Sequence, residues 1–384
     1  MDKVRIGIIG IGNMGTAHLQ YLAGEEITGA VVTAVCDIIP EKLQKAGQNF
    51  SSVKQYHDMD SMLGSGEVDA VLIATPHYDH PSQAMKALKR GVHTLIEKPA
   101  GVYTKQVIEM NNAAEKSDAV FGIMYNQRTN PMYQKLRELI LDGELGELKR
   151  TNWIIDWYRP QSYYDSGGWR ATWAGEGGGV LLNQDPHQLD LWQWTCGMPK
   201  RVLAFCNFGK YHKIEVEDEV TAYVEYENGA TGVFVTSTGI SPGTNRLEVI
   251  GDKGKVVIEN NTFTFHRLRI PERQFNREFK DGFGEPECWK CEVPVRVDSG
   301  SQHKGITQNF TNAILKGEKL LAPGIEGIYG LQISNAMHLS AWTNDWVDIP
   351  VDADMFYEKL KERINASVFK KETHDVILDV KGTH

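Results

Sequence analysis

One turn and two side chains in this sequence have the residue types and the placement to do chemistry. The run from Val4 to Gly15 is apolar up to Gly10, carries the triplet Gly10, Gly12 and Gly15, and passes into Met14, Ala17 and Tyr21 at helical spacing. It reads as strand, tight turn and helix. Gly10 lets the chain turn, Gly12 removes a side chain where a pyrophosphate would meet the backbone, and Gly15 lets the helix pack closely on the strand. Asn13 and Met14, within the triplet, begin a helix whose N-terminus faces that anion. Further on, Glu97-Lys98-Pro99 follows the strand-like run from His93 to Ile96. Ligands of open α/β sheets sit at such carboxyl ends, and the proline holds the lysine before it extended, so Lys98 is the first catalytic candidate. His187 falls in the first turn of a helix with Asp185 at the N-cap, Pro186 at the first helical position and Gly197 past the end. An imidazole there points toward whatever the helix start faces and titrates near working pH, although a lone histidine is more often structural.

The elements that must hold these residues follow along the chain. Val31 to Val35 is a second β-branched run ending in Cys36 and Asp37, which puts an acid 22 residues beyond Gly15. At the tip of the second strand of a dinucleotide fold, such an acid accepts hydrogen bonds from the adenosine ribose hydroxyls and repels a 2′-phosphate. Ile38 and Ile39 follow with no arginine to receive that phosphate, which favours NAD over NADP. Capping of the helix beginning near Pro40 is the alternative use for Asp37. Asp69 to Ala74 is a continuous apolar run, as in a parallel strand covered on both faces, and it ends in the loop Ala74-Thr75-Pro76. His80 and Pro81 open an amphipathic helix to Arg90, with Gly91 past its end. His80 reads as a cap neighbour and is grouped with the cofactor-binding positions of that loop and with Glu97. A helix from Lys105 to Lys116 and a strand from Ala119 to Met124 complete a first domain over residues 1–126. The exit Tyr125-Asn126-Gln127-Arg128 adds Gln127 to the cofactor side, and residues 127–384 form the second domain.

At Gly10-Ile-Gly12-Asn-Met-Gly15, Ala74-Thr-Pro76, Glu97-Lys98-Pro99 and the stretch from Gly177 to Asp190, the chain resembles the glucose–fructose oxidoreductase / inositol dehydrogenase (Gfo/Idh/MocA) family over nearly its whole length. The resemblance implies an α/β protein: an N-terminal Rossmann domain, then an α/β domain with a large open, mainly antiparallel sheet. It implies bound NAD, a sugar, polyol or related hydroxylated substrate, and a homodimer or homotetramer formed through the second sheet. In the family, the lysine of the Glu-Lys-Pro motif and an Asp-x-x-x-His pair surround the reacting hydroxyl. Here those positions are Lys98, Asn183 and His187. An amide can orient a substrate but cannot take a proton, so the aspartate's role does not carry over. The expected activity is NAD-dependent oxidation of a secondary hydroxyl to a ketone, with His187 accepting the proton, Lys98 stabilising the oxygen and Asn183 orienting it. One alternative is an enzyme that retains its NAD and oxidises a glycoside, for example at C3, to permit elimination or glycosidic cleavage. Another is a non-catalytic nucleotide or sugar sensor.

Six of the nine tryptophans fall between Thr151 and Trp194. Aromatic faces stack on the C–H faces of sugar rings, while Asp156, Arg159 and Arg170 can hydrogen-bond hydroxyls. Trp192 and Trp194 read as core. Tyr164, Trp169 and Arg170, in a glycine-rich segment, read as substrate contacts together with Asp156. Beyond Pro199 the sequence alternates in strand fashion with turns at Asn228-Gly229, Gly251 to Gly254 and Asn260-Asn261, which predicts an antiparallel sheet. The stretch from Lys280 to Lys290 reads as a loop, Glu326 to Thr343 and Asp354 to Asn365 as helices, and the last residues to His384 as a tail. A length of 384 residues calls for two cores, and a net charge of -9 without a long basic run argues against a nucleic-acid surface. The apolar start is too short for a membrane span, so a soluble cytoplasmic protein is expected. Five scattered cysteines form no disulfide framework, and Cys288-Trp-Lys-Cys291 lacks the two further ligands a zinc site would need.

Overall fold

Continuous apolar runs build one sheet of this protein and alternating runs build the other. The computed structural model describes residues 2–369, and the tail expected beyond them lies outside that range. The first sheet is built by β1 (Val4–Ile9), α1 (Asn13–Ala23), β2 (Ala30–Cys36), α2 (Pro40–Asn49), β3 (Lys54–Tyr56), α3 (Met59–Gly64), β4 (Ala70–Ile73), α4 (His80–Leu88), β5 (His93–Ile96), α5 (Thr104–Ala114) and β6 (Phe121–Ile123). Its six strands pair in parallel in the order β3-β2-β1-β4-β5-β6. Every residue of β4 is buried, as a strand covered by helices on both faces requires. The order reverses between β1 and β4, and a crevice opens beyond the carboxyl ends of those strands.

The chain continues through α6 (Pro131–Leu141), β7 (Leu148–Asp156), α7 (Gln161–Asp165), α8 (Val180–Asn183), α9 (Pro186–Cys196), β8 (Arg201–Phe208), β9 (Glu217–Glu225), β10 (Thr231–Ser237), β11 (Asn245–Gly251), β12 (Gly254–Glu259) and β13 (Thr262–Leu268). Then come α10 (Glu272–Glu278), β14 (Cys288–Cys291), α11 (Gln302–Lys316), α12 (Gly327–Thr343), β15 (Val347–Asp348) and α13 (Ala353–Ala366). The nine strands pair in the order β14-β13-β12-β11-β7-β10-β9-β8-β15. Only β7 and β10 run parallel; the other pairs are antiparallel. Asn260 and Asn261 both adopt positive φ between β12 and β13, which asparagine tolerates in a two-residue hairpin turn.

One face of this sheet is core. Trp153, Val202, Val224 and Phe234 are buried on it, and the Trp192 ring of α9 stacks on Phe234 at 5.5 Å. The other face leaves Ile154 and Phe205 exposed. Trp194, expected in the core, is only half-buried and lies 4.5 Å from the Arg137 guanidinium. The loop expected from Lys280 to Lys290 gives way to edge strand β14, where Cys288 and Cys291, three residues apart on a strand, point to opposite faces.

A boundary at 126/127 separates the two sheets but not the packing. Helix α11 and the segment after it return to the first domain: the Tyr21 hydroxyl on α1 meets Thr307 Oγ1 of α11 at 2.8 Å, and the Ile123 N–H of β6 donates to the Ala322 carbonyl beyond α11. Among the described residues no helix is long and apolar enough to cross a membrane.

Candidate active site

The glycine turn is tight for two separate reasons and open for a third. Gly10 has φ +88°, and a Cβ on it would sit 2.8 Å from the Ala74 carbonyl oxygen. A Cβ on Gly15 would lie 1.8 Å from the Gly10 carbonyl oxygen, so α1 approaches the turn as only glycine permits. A Cβ on Gly12 would meet nothing within 4 Å. That open space belongs to a cleft of about 1170 Å³ running from β2 to α9, so backbone N–H groups at the start of α1 face a volume with room for a pyrophosphate. Asn13, Met14, Ala74, Thr75, Pro76, His80, Glu97, Lys98 and Gln127 also line it. Gly15 packs behind the turn instead.

Asp37 stands at the cleft end of β2 and holds the backbone of the glycine turn and of the entry to α2, without capping that helix. Its Oδ2 accepts from the Ile11 N–H at 2.7 Å and its Oδ1 from the Ile39 N–H at 2.9 Å, next to the start of α2. Each oxygen keeps a further lone pair for a ribose hydroxyl. These residues fit a dinucleotide: a Cβ-free approach, a helix N-terminus and an acid at the adenosine end.

At the other end of the cleft, β5 delivers Glu97 and Lys98. The Lys98–Pro99 bond is cis. His80 ties this segment to the loop after β4, its ring nitrogens each 2.8 Å from a carbonyl oxygen, of Pro99 and of Thr75. Burial lowers the His80 pKa against the pull of those two acceptors. Behind Lys98, the Glu97 carboxylate meets His18 Nε2 at 2.6 Å, and His18 Nδ1 meets the Tyr21 hydroxyl at 2.6 Å. Burial would raise the Glu97 pKa, but the His18 hydrogen bond and charge outweigh it and bring it down to about 2. Glu97 is therefore a fixed anion beside Lys98, whose own ammonium burial pulls down and Glu97 holds up.

Lys98 Nζ donates to the Asn183 main-chain carbonyl at 2.9 Å, which joins β5 to the end of α8. His187, one helical turn on, is buried and lines the same cleft. The structure thus brings Lys98, Asn183 and His187 to one wall from two sequence-distant elements. The Asn183 amide is oriented by its neighbours: Nδ2 donates to Glu176, and Oδ1 accepts from the Tyr163 hydroxyl at 3.1 Å. Tyr163 in turn accepts from Arg170 Nη1 at 2.9 Å. Trp169 lines the cleft with its ring 5.4 Å from that of His77 and 4.7 Å from the Arg170 guanidinium.

Three expectations are corrected here. Tyr164 does not reach the cleft: it is buried, with its hydroxyl donating to Thr238 Oγ1 at 2.7 Å, and its neighbour Tyr163 takes the cleft position. Asp156 does not line it either, since its Oδ2 holds the Thr244 N–H at 3.0 Å. Asp185 occupies the N-cap position of α9, yet its side chain caps nothing. It accepts instead from Trp157 Nε1 at 2.7 Å, and burial pushes its carboxyl up to about 8. Sequence reasoning missed Glu176 and His77. A glutamate seven residues before Asn183 carries no spacing signal, and His77 sits in a 3₁₀ turn after the β4 loop, where its Nδ1 lies 3.3 Å from the Glu176 carbonyl oxygen.

Both domains have counterparts among known proteins. Residues 4–125 match the family described as an oxidoreductase family with an NAD-binding Rossmann fold, and residues 133–257 match the GFO/IDH/MocA C-terminal domain. The rhizopine catabolism protein MocA of Rhizobium meliloti is 31% identical over 198 residues, 51% of this chain and 58% of that protein. Myo-inositol 2-dehydrogenase of Thermotoga maritima is 26% identical over 268 residues, 67% of this chain and 75% of its own. The crystal structure of the WlbA dehydrogenase from Bordetella pertussis, in complex with NADH and UDP-GlcNAcA, has a TM-score of 0.77 at 25% identity, covering 91% of this chain and 100% of that one. With an N-terminal and a C-terminal domain of the family matched in order over most of the chain, this chain belongs to the Gfo/Idh/MocA family of NAD-binding oxidoreductases.

Proposed function

We propose that this protein oxidises a secondary hydroxyl of a sugar, glycoside or cyclic polyol to a ketone. The observation that carries the reading is the convergence of Lys98 and His187 on one cleft wall, fixed by the bond from Lys98 Nζ to the Asn183 carbonyl, at the far end of the cleft from Asp37. The named activity of the myo-inositol relative and the NADH and nucleotide-sugar complex of the WlbA neighbour support it. NAD, when bound by the glycine turn and Asp37, supplies the two-electron acceptor. His187 accepts the hydroxyl proton as the C–H bond breaks. Lys98 donates to the same oxygen and stabilises its developing charge, while Asn183, its amide fixed by Glu176 and Tyr163, holds the substrate's orientation. The open face of the second sheet, with Ile154 and Phe205 exposed, supports a homo-oligomer formed through it.

The test is to denature the purified protein, identify any nucleotide released, and screen sugars, glycosides and inositols for reduction of NAD. His187→Ala should then lower turnover by ~10²–10⁴-fold with NAD affinity retained, and Lys98→Met should do likewise. Parent-like rates in both variants would refute the assignment.

A further inference from the structure

The cleft wall built by residues 127 onward holds no acid on its lining. The carboxylates lining the cleft are Asp37, Asp58, Asp79 and Glu97, all from the first 97 residues. The wall contributed by residues 127 onward carries Arg159 and Arg170 opposite Lys98, and no aspartate or glutamate. Sites for neutral sugars need acceptors as well as donors, because each hydroxyl donates one hydrogen bond, and carboxylates are the strongest acceptors a protein has. Asp156, the acid expected to fill that role, is turned to the Thr244 N–H. Glu176 lies behind the wall and accepts from the Asn183 amide and from the Ala171 N–H at 2.5 Å. Glu97 is committed to His18.

The two guanidinium groups are held in place. Arg159 lies on a backbone pinned at both sides, its N–H donating to the Thr238 carbonyl at 2.9 Å and its carbonyl 2.8 Å from His212 Nε2. Its guanidinium lies 5.4 Å from the centre of the Tyr163 ring, and that of Arg170 lies 4.7 Å from the same ring. Arg159 Nη1 donates to the Tyr158 carbonyl at 3.0 Å and Arg170 Nη1 to the Tyr163 hydroxyl at 2.9 Å, bonds that fix two planar groups whose five N–H donors match carboxylate and phosphate oxygens. A locally cationic wall in a chain of net charge -9 focuses a field on anions.

We infer that the substrate carries a negative charge, a carboxylate or a phosphate, that sits against Arg159 and Arg170 while a neighbouring hydroxyl meets Lys98 and His187. This rests on the oxidoreductase reading and narrows its substrate to acidic or phosphorylated sugars. Arg170 and Arg159 also add to the burial that pulls the Lys98 ammonium pKa down, and an anion between them would act against that pull.

The experiment compares initial rates of NAD reduction, with the full-length protein, on glucuronate, glucose 6-phosphate, glucose and myo-inositol. One anionic substrate should exceed glucose in kcat/KM by about tenfold or more, the scale of one charge-assisted hydrogen bond, and the advantage should shrink as salt is raised. Whichever anion leads identifies the carboxylate or the phosphate as the recognised group. Arg159→Gln should cut the ratio of anionic to neutral kcat/KM by about tenfold, while Arg159→Lys, which keeps the charge and loses the planar fork, recovers only part of it; NAD binding and the melting midpoint establish that both variants fold. Reduction of NAD with glucose equal to or ahead of both anions overturns the inference and leaves the oxidoreductase reading standing. If none of the four is oxidised, the oxidoreductase reading loses its support. Calorimetric binding of glucuronate, glucose 6-phosphate and glucose to the NAD-loaded protein then still reads the charge preference, and equal binding of all three overturns the inference.

Discussion

Asp185 gives the sharpest quantitative prediction. It is fully buried between Trp157 and the start of α9, and burial raises its carboxyl from an ordinary 3.8 to about 8. The unfolded chain therefore releases this proton near pH 4, while the folded chain holds it until about pH 8. Stability from this group is complete below pH 4 and is lost at about 1.4 kcal/mol per pH unit as pH rises, levelling off above about pH 8. By pH 7 the loss reaches about 4 kcal/mol at most. Asp185→Asn removes the titration but keeps an oxygen to accept from Trp157 Nε1 and nearly the same volume. The variant should therefore be more stable than the parent at pH 7, with a melting midpoint raised by up to about 5 °C if the chain melts as one unit, from an unfolding entropy of about 2 cal/mol/K per residue. The assay is thermal unfolding of both proteins from pH 5 to pH 9. The stability gap should widen across that range and flatten near pH 8. A gap independent of pH, or a variant less stable than the parent at pH 8, would refute the reasoning, because either outcome means that Asp185 is ionised in the fold.

Two further predictions concern the cofactor end. Gly12→Ala should leave the melting midpoint unchanged, since its Cβ would meet nothing, and yet weaken NAD binding by at least about tenfold by occupying the approach of the pyrophosphate. Gly15→Ala should lower both, because its Cβ would collide with the Gly10 carbonyl; equal melting midpoints for the two variants would contradict these separate roles. Asp37→Ser should raise the NADP to NAD preference on the order of 10²-fold by removing a like charge that faces the 2′-phosphate, with Lys42 and Lys45 nearby on the cleft wall. Unchanged discrimination in a nucleotide-binding titration would show that Asp37 does not read the ribose.

The elements that surfaced in the sequence are those whose causes are local. Gly10 and Gly15 have backbone reasons that any glycine triplet after an apolar run announces, and Pro186 and Gly197 bracket α9 where the sequence puts them. The errors share another cause: side-chain direction set by partners far along the chain. Tyr163 and Tyr164 are adjacent on the short helix α7, and only the position of Thr238 decides which one turns inward. Asp185 follows the pattern of a cap, but Trp157, 28 residues earlier, claims its carboxyl. The return of α11 to the first domain depends on Tyr21 meeting Thr307 across 286 positions, which no window of sequence contains. Asp156 was the legible exception. With Trp153 and Ile155 facing inward, the two-residue period of a strand already puts it on the face of Ile154.

These corrections converge on one property of the site. Three acids near the reacting wall in sequence are each removed from it by a different physical route. Asp156 is engaged by a backbone N–H, Glu176 is buried behind Asn183, and Asp185 is held protonated at neutral pH by burial. Asn183 itself stands where the family resemblance implies an aspartate. A carboxylate in any of these places would assist a neutral hydroxyl by accepting its proton or its hydrogen bond, and would repel a charged substrate by several kcal/mol at contact distance. Their joint withdrawal leaves His187 and Lys98 as the groups that meet the hydroxyl in the proposed reaction, and the wall from residue 127 onward carries Arg159 and Arg170 with no aspartate or glutamate on its lining. With the anionic substrate proposed above, the amide at Asn183 and the cationic wall serve one end, because a carboxylate at position 183 would repel the anion that Arg159 and Arg170 attract.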